Sequence, residues 1–260
     1  MPGCLILLAP SKTMNFIAAT PFDIAGETPL FLPEAAVIAT KIASYTDNKI
    51  MKTMHVSATI AHAVAQYYSD WNIDKTGKAA LWTYTGDVYK GLRASTMNRS
   101  EADWANKHLL ISSGLYGLVR PFDGVQPYRL EMSAKIRFGR HRNLYEFWGR
   151  KLASYVDSSQ VDWVCCLSSD EYARSVITDL PCSIITPVFL DTKPNGIVGT
   201  VPIYSKIMRG VMARWMIDHR AEKPKQLMRF SGHGYSYDPA RSTETHPVFS
   251  RVVMTPLRFE

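Results

Sequence analysis

LILLAPSKTM, residues 5–14, is the stretch on which the fold turns. Leu5–Ala9 is a short continuous apolar run, the signature of a strand buried on both faces, and it passes directly into Ser11, Lys12 and Thr13. Three other runs behave the same way. Ala79–Thr85 leads into Gly86, Asp87 and Tyr89; Val161–Leu167 leads into Asp170, Glu171 and Tyr172; Ile184–Leu190 leads into Asp191 and Lys193. Helical spacing appears between them, at Pro33–Tyr45, Ser57–Tyr68, Ser100–Lys107 with Ser100 as cap, Leu144–Val156, Ser169–Val176 and Ser205–His219. Gly199–Tyr204 reads as an edge strand on account of Pro202, and Pro247–Val253 as a final strand. Pro21–Leu32 and Ser231–His246 read as loops. This alternation predicts an α/β (α+β mixed) fold: a single compact domain over residues 1–260 around a mixed sheet.

In open α/β sheets the carboxyl ends of neighbouring parallel strands converge on a ligand crevice. If the four runs are such neighbours, Lys12, Asp87 and Glu171 meet in one pocket as candidate catalytic groups, with Ser11, Tyr89 and Tyr172 beside them. The alternative is that each polar group only caps a helix or turn, which suits Ser169 and Asp170 well. Two more segments supply cations. Lys206 and Arg209 share a face of the late helix, where Lys206 in the first turn opposes the helix dipole and is best explained by a nearby anion. In Pro127–Glu131, PYRLE, Arg129 and Glu131 stand two apart and point the same way on an extended chain.

The 260 residues are 46% hydrophobic and 20% charged, a globular balance that excludes a disordered or fibrous chain. No apolar run approaches a membrane span, and the early run is too short for a signal peptide, so the expected location is the cytoplasm. Lys and Arg total 30 against 23 Asp and Glu, and the surplus of +7 favours a polyanionic partner. The four cysteines and seven histidines have no metal-ligand spacing, and neither a Walker loop nor a dinucleotide fingerprint is present, so no metal and no cofactor are expected. In HLLISSGLYGLVRP, residues 108–121, Gly114 and Gly117 flank an apolar pair. A helix-hairpin-helix turn there would hold a DNA phosphate on its backbone N–H groups, while a strand Leu109–Ser112 followed by a glycine turn fits nearly as well.

LILLAPSKTM (5–14), GDVYKGL (86–92), SGLYGLVRPFDGVQPYRLEM (113–132), LYEFWG (144–149), LSSDEYARSV (167–176), PVFLDTK (187–193) and RGVMARWMI (209–217) occur in this order and together resemble the YaaA peroxide-stress protein family. The resemblance implies an α/β domain of that family's own type, with a positively charged cleft and a helix-hairpin-helix-like DNA-binding element. It also implies a role in limiting peroxide and iron damage. Its characteristic polar positions correspond to Lys12, Asp87, Tyr89, Arg129, Glu131, Glu171, Tyr172, Lys206 and Arg209. Cys166–Ser169 departs from the family's Asn-Leu-Ala-Ser, and Pro21–Leu32 and the tail after Tyr237 match weakly.

Three functional readings fit this pattern. The first is a protein that binds double-stranded DNA without regard to sequence, through a basic cleft and Gly114–Gly117. The second is an enzyme acting on a nucleobase, nucleotide or related phosphorylated metabolite, because a bare phosphate cradle has no need of Asp87, Glu131 and Glu171. The third makes the polar set an internal ion-pair network with partners bound elsewhere.

Overall fold

In the computed structural model, which describes residues 3–252 and 256–257, the first strand is Cys4–Leu8, buried at every position. It lies at the centre of a five-stranded sheet ordered Gly117–Val119, Leu109–Ser113, Cys4–Leu8, Trp163–Leu167, Ser183–Ile185. The outer Gly117–Val119 strand is antiparallel and the other four are parallel. From Cys4–Leu8 the chain goes first to one neighbour and later to the other, so the carboxyl end of this strand is where the connections diverge, the place such sheets open a crevice.

A second, mixed sheet is ordered Val198–Gly199, Val188–Thr192, Val248–Arg251, Tyr235–Tyr237, Ser231–Gly232. One continuous cluster of buried side chains joins the two sheets, running from Ile6 and Leu8 through Met212 and Met216 of the long helix Pro202–Asp218 to Phe189 and Phe249.

Several predicted elements are corrected. Ala79–Thr85 is no member of the main sheet: two short strands, Lys78–Ala79 and Tyr84–Thr85, flank a 3-10 turn and pair antiparallel with Gly124–Val125 and Thr13–Met14. Ile184–Leu190 breaks at Pro187 and serves both sheets. Leu144–Val156 breaks at Gly149, whose φ of +49° ends the first turn. The Ser100 cap moves to Asn98, whose Oδ1 accepts from Glu101 N while the Glu101 carboxylate accepts from Asn98 N. Pro202 is the first residue of the long helix rather than an edge-strand proline, a place its missing N–H and fixed φ suit. The loop Ser231–His246 holds two short strands, and of the last predicted strand Val248–Arg251 forms, while Val253 lies outside the described residues.

The helix-hairpin-helix expectation at residues 108–121 is also corrected. Leu109–Ser113 and Gly117–Val119 form a β-hairpin, and residues 109–119 are buried throughout. Gly114 sits against Leu130, and its carbonyl accepts a bond from Trp148 Nε1 at 3.2 Å; Gly117 sits against Trp148 and Leu152. The apolar residues on both sides of the turn draw it into the core, where its N–H groups meet no phosphate.

The short helix Asp87–Leu92 packs on Pro202–Asp218 backbone to backbone, because Gly91 faces the Ile207 carbonyl and Gly210 faces the Val88 carbonyl. A Cβ at Gly210 would overlap that carbonyl, and main chain cannot swing aside as a side chain can. Gly210→Ala should therefore cost about 2 kcal/mol, an overpacking penalty of about 1–3 kcal/mol less the helix propensity gained. Thermal unfolding should show a melting temperature lower by about 4–8 °C. An increase would mean that the helices are free to part.

Candidate functional site

A cleft of about 480 Å³ opens at the carboxyl end of the central strand. Its four walls come from five segments: Ala9–Lys12, Thr85–Tyr89, Tyr128–Glu131 and, together as the fourth wall, the start of the helix Asp170–Ile177 and the first half of the helix Pro202–Asp218. Lys12, Asp87 and Glu171 all line it, as do Ser11, Tyr89, Arg129, Glu131, Tyr172, Lys206 and Arg209. Asp87 arrives by a route other than a parallel strand, on the short helix held against the long one. Gly114 and Gly117 are not among the lining residues.

On one side the cleft is a chain of ion pairs. Glu131 Oε1 receives Lys12 Nζ at 3.1 Å and Arg129 Nη2 at 3.3 Å, so the two cations share one oxygen. Arg129 and Glu131 do point the same way, as their spacing requires. Glu131 Oε2 and Arg129 Nε are buried with no hydrogen-bond partner among the described residues. The Lys12 side chain is 64% exposed and can swing towards a ligand, whereas that of Glu131 is 12% exposed and fixed.

The acids on the other walls are held differently. Glu171 Oε1 accepts from Ser133 N at 3.0 Å and Ser133 Oγ at 2.8 Å. Asp87 pairs with Lys90 one turn along its own helix at 3.3 Å. Ser11 Oγ, Thr13 Oγ1 and Thr85 Oγ1 form a row of hydroxyls at 3.1 and 2.9 Å beside Gly86.

The floor is phenolic. Tyr89 donates to the Ala9 carbonyl at 3.0 Å, and Tyr128 shares hydrogen bonds with Tyr84 at 2.7 Å and Ser113 at 2.8 Å. Burial pushes the Tyr89 and Tyr172 hydroxyls well above the usual phenol range, so they stay neutral.

The fourth wall is the least compensated. The helix Asp170–Ile177 starts at the cleft with Ser169 in the cap position, yet the Ser169 hydroxyl makes no capping bond. Half-buried Arg209 forms no hydrogen bond or ion pair among the described residues. Burial lowers its affinity for its proton, opposed only by the more distant influence of Cys166 and Asp170. Lys206 is exposed above it; because the helix begins at Pro202, Lys206 lies in the second turn, and the dipole argument for an anion beside it lapses.

Four cations and three carboxylates line the cleft, a mixed rather than uniformly basic surface. Among the described residues no group of three or more His, Cys, Asp and Glu stands close enough to hold a metal ion. Sequence reasoning passes over Tyr128, Thr85 and Ser169 as lining residues, although each lies within two positions of a residue it names.

The family model described as Peroxide stress protein YaaA matches residues 4–241. The chain is 37% identical over 257 residues to a UPF0246 protein of Laribacter hongkongensis, covering 95% of this chain and 99% of that one. It is 38% identical over 256 residues to a UPF0246 protein of Aliivibrio fischeri, covering 95% and 98%, and 36% identical over 255 residues to one of Verminephrobacter eiseniae, again 95% and 98%. With a match that spans the central sheet, every wall of the cleft and most of the second sheet, this chain belongs to the YaaA peroxide-stress protein family.

Proposed function

We propose that the chain serves in the response to peroxide stress by binding nucleic acid, and that the cleft receives a nucleotide with its phosphate on Arg209. The observation that carries this reading is the half-buried Arg209 guanidinium, which has no hydrogen bond or ion pair among the described residues. Holding a cation away from water costs several kcal/mol unless something pairs with it. A phosphate placed between Arg209, Lys206 and the open start of the helix Asp170–Ile177 is the natural counter-charge. The cleft volume suits one nucleotide rather than a groove full of duplex, and Tyr89, Tyr128 and Tyr172 contribute to its lining. The net charge of +7 favours a polyanion.

Binding of a mixed-sequence duplex is the test. Affinity should fall with salt, log K against log[salt] having a slope of roughly -0.9 per phosphate neutralised. Absence of binding at low salt, or binding indifferent to salt, ends the DNA reading.

A second reading, an enzyme on a nucleobase, nucleotide or related phosphorylated metabolite, is favoured by the three carboxylates. In that scheme Arg209 and Arg129 hold the anion, Asp87 or Glu171 moves a proton, and Lys12 acts as nucleophile or electrostatic stabiliser, poised by Glu131. Lys12→Ala and Asp87→Ala should then each abolish turnover while leaving DNA binding within a fewfold of the parent. Retained turnover in both variants removes the catalytic assignment.

A further inference from the structure

Residues 133–142, SAKIRFGRHR, hold four cations and no acid, more than half of the chain's net +7 in ten positions. None of them lines the cleft. Burial alternates along the segment as on a strand: Met132, Ala134, Ile136 and Phe138 are buried, while Lys135 and Arg137 are exposed. The apolar side chains pin the segment to the core, with the Phe138 ring 4.8 Å from that of Phe147. The same alternation turns Lys135 and Arg137 outward together. The segment then closes on itself: Phe138 and His141 exchange two backbone hydrogen bonds of 2.9 Å across a turn at Gly139, φ +56°, which presents Arg140.

Three of the four cations are uncommitted. Arg142 pairs with Glu146 at 2.7 Å, but Lys135, Arg137 and Arg140 are exposed and make no side-chain hydrogen bond or ion pair among the described residues. Like charges gathered on a pinned ribbon repel one another, and among the described residues no acid pairs with these three. The ribbon also starts at the cleft, since Ser133 donates twice to Glu171 in its wall.

We propose that Lys135, Arg137 and Arg140 form a phosphate track that carries a nucleic-acid backbone away from the cleft, so that the ligand is a polynucleotide and not a free nucleotide. The proposal rests on the nucleic-acid reading given above and adds to it a binding surface outside the cleft. Alternate residues of an extended chain lie no more than about 7 Å apart, and Lys135 to Arg140 span at most about 18 Å. That reach matches a few consecutive phosphates of one strand. Contacts of this kind fix register and add affinity without reading sequence.

The experiment compares the parent with the triple variant Lys135→Gln, Arg137→Gln, Arg140→Gln. Both are titrated with a duplex of about two helical turns, with a 5′-mononucleotide and with vesicles containing acidic lipid. The variant should bind duplex at least about tenfold more weakly at moderate salt, and its log–log salt slope should be shallower by about 2–3, roughly 0.9 for each phosphate no longer neutralised. Its mononucleotide affinity and melting temperature should stay those of the parent, because the substituted groups are exposed and lie outside the cleft.

An unchanged duplex slope overturns the track while leaving the cleft reading intact, as does a parent that binds the mononucleotide but no duplex. Loss of mononucleotide binding in the variant also overturns it, since the residues would then act on the cleft. So does ribbon-dependent binding to vesicles as tight as that to duplex. The cleft reading itself falls separately, if Arg209→Ala leaves mononucleotide and duplex affinities untouched.

Discussion

Arg209→Ala is expected to weaken binding of a 5′-mononucleotide and of duplex DNA by about 10–100-fold and to leave the melting temperature unchanged or slightly raised. The two effects have opposite signs for one reason. With ligand bound, the guanidinium supplies charge-assisted hydrogen bonds worth about 1.5–3 kcal/mol, and each 1.4 kcal/mol is a factor of about ten. Without ligand the same group is half-buried and unpaired among the described residues, so removing it relieves a desolvation cost and breaks no bond. A structural role predicts the reverse, a lower melting temperature with affinity intact. Arg209→Lys sharpens the comparison, because it keeps the charge but loses the planar fork that grips two phosphate oxygens, and it should recover only part of the affinity. Fluorescence anisotropy at low salt and thermal unfolding decide the matter. Equal affinities in parent and variant would remove Arg209 from the site.

The cleft is more legible in the sequence than the sheet that builds it. Lys12 and Glu171 are placed by a rule with a geometric cause, since apolar strands buried on both faces run parallel and their carboxyl ends must adjoin. Asp87 reaches the same cleft although no main-sheet strand precedes it. The apolar run Ala79–Thr85 is largely buried, but burial does not distinguish a strand from a 3-10 turn, and periodicity over so few residues cannot either.

What places Asp87 is the contact of Gly91 with Gly210's helix, which no local pattern reveals because both partners in that contact are backbone. The helix Asp47–Met54 escapes the sequence for another reason: its cap, Thr46 accepting from Lys49 N, directly follows an apolar run that the preceding helix claims. Gly114 and Gly117 mislead because a glycine turn between apolar runs suits a β-hairpin as well as a helical one, and here the antiparallel pairing takes it. The ribbon 133–142 is hard to read because its strand-like alternation occurs without a sheet.

Asp191→Ala should be the most destabilising single change, costing about 3–5 kcal/mol. Asp191 and Arg251 are 0% and 2% exposed and form an ion pair between adjacent strands of the second sheet. The Tyr235 hydroxyl donates to the Asp191 carboxylate, 2.8 and 2.9 Å from its two oxygens, and burial beside that carboxylate pushes its phenol far above the usual range. The Arg251 guanidinium lies over the Tyr204 and Tyr235 rings at 4.7 and 4.8 Å. Loss of Asp191 removes the carboxylate that pairs with Arg251 in the core and accepts from Tyr235, and the melting temperature should fall by about 6–20 °C.

The consequence extends to the cleft, because Tyr204 belongs to the first turn of the helix that carries Lys206 and Arg209. Loosening that turn should weaken ligand binding as well, an effect transmitted through Arg251 from outside the cleft lining. The double variant Asp191→Ala, Arg251→Met separates charge from packing. It removes both ions and retains apolar volume, so most of the stability should return, since a buried pair exchanged for hydrophobic groups is often neutral or better. If the double variant is as unstable as Asp191→Ala, the cost lies in the hydrogen bonds of Tyr235 rather than in the lost ion pair.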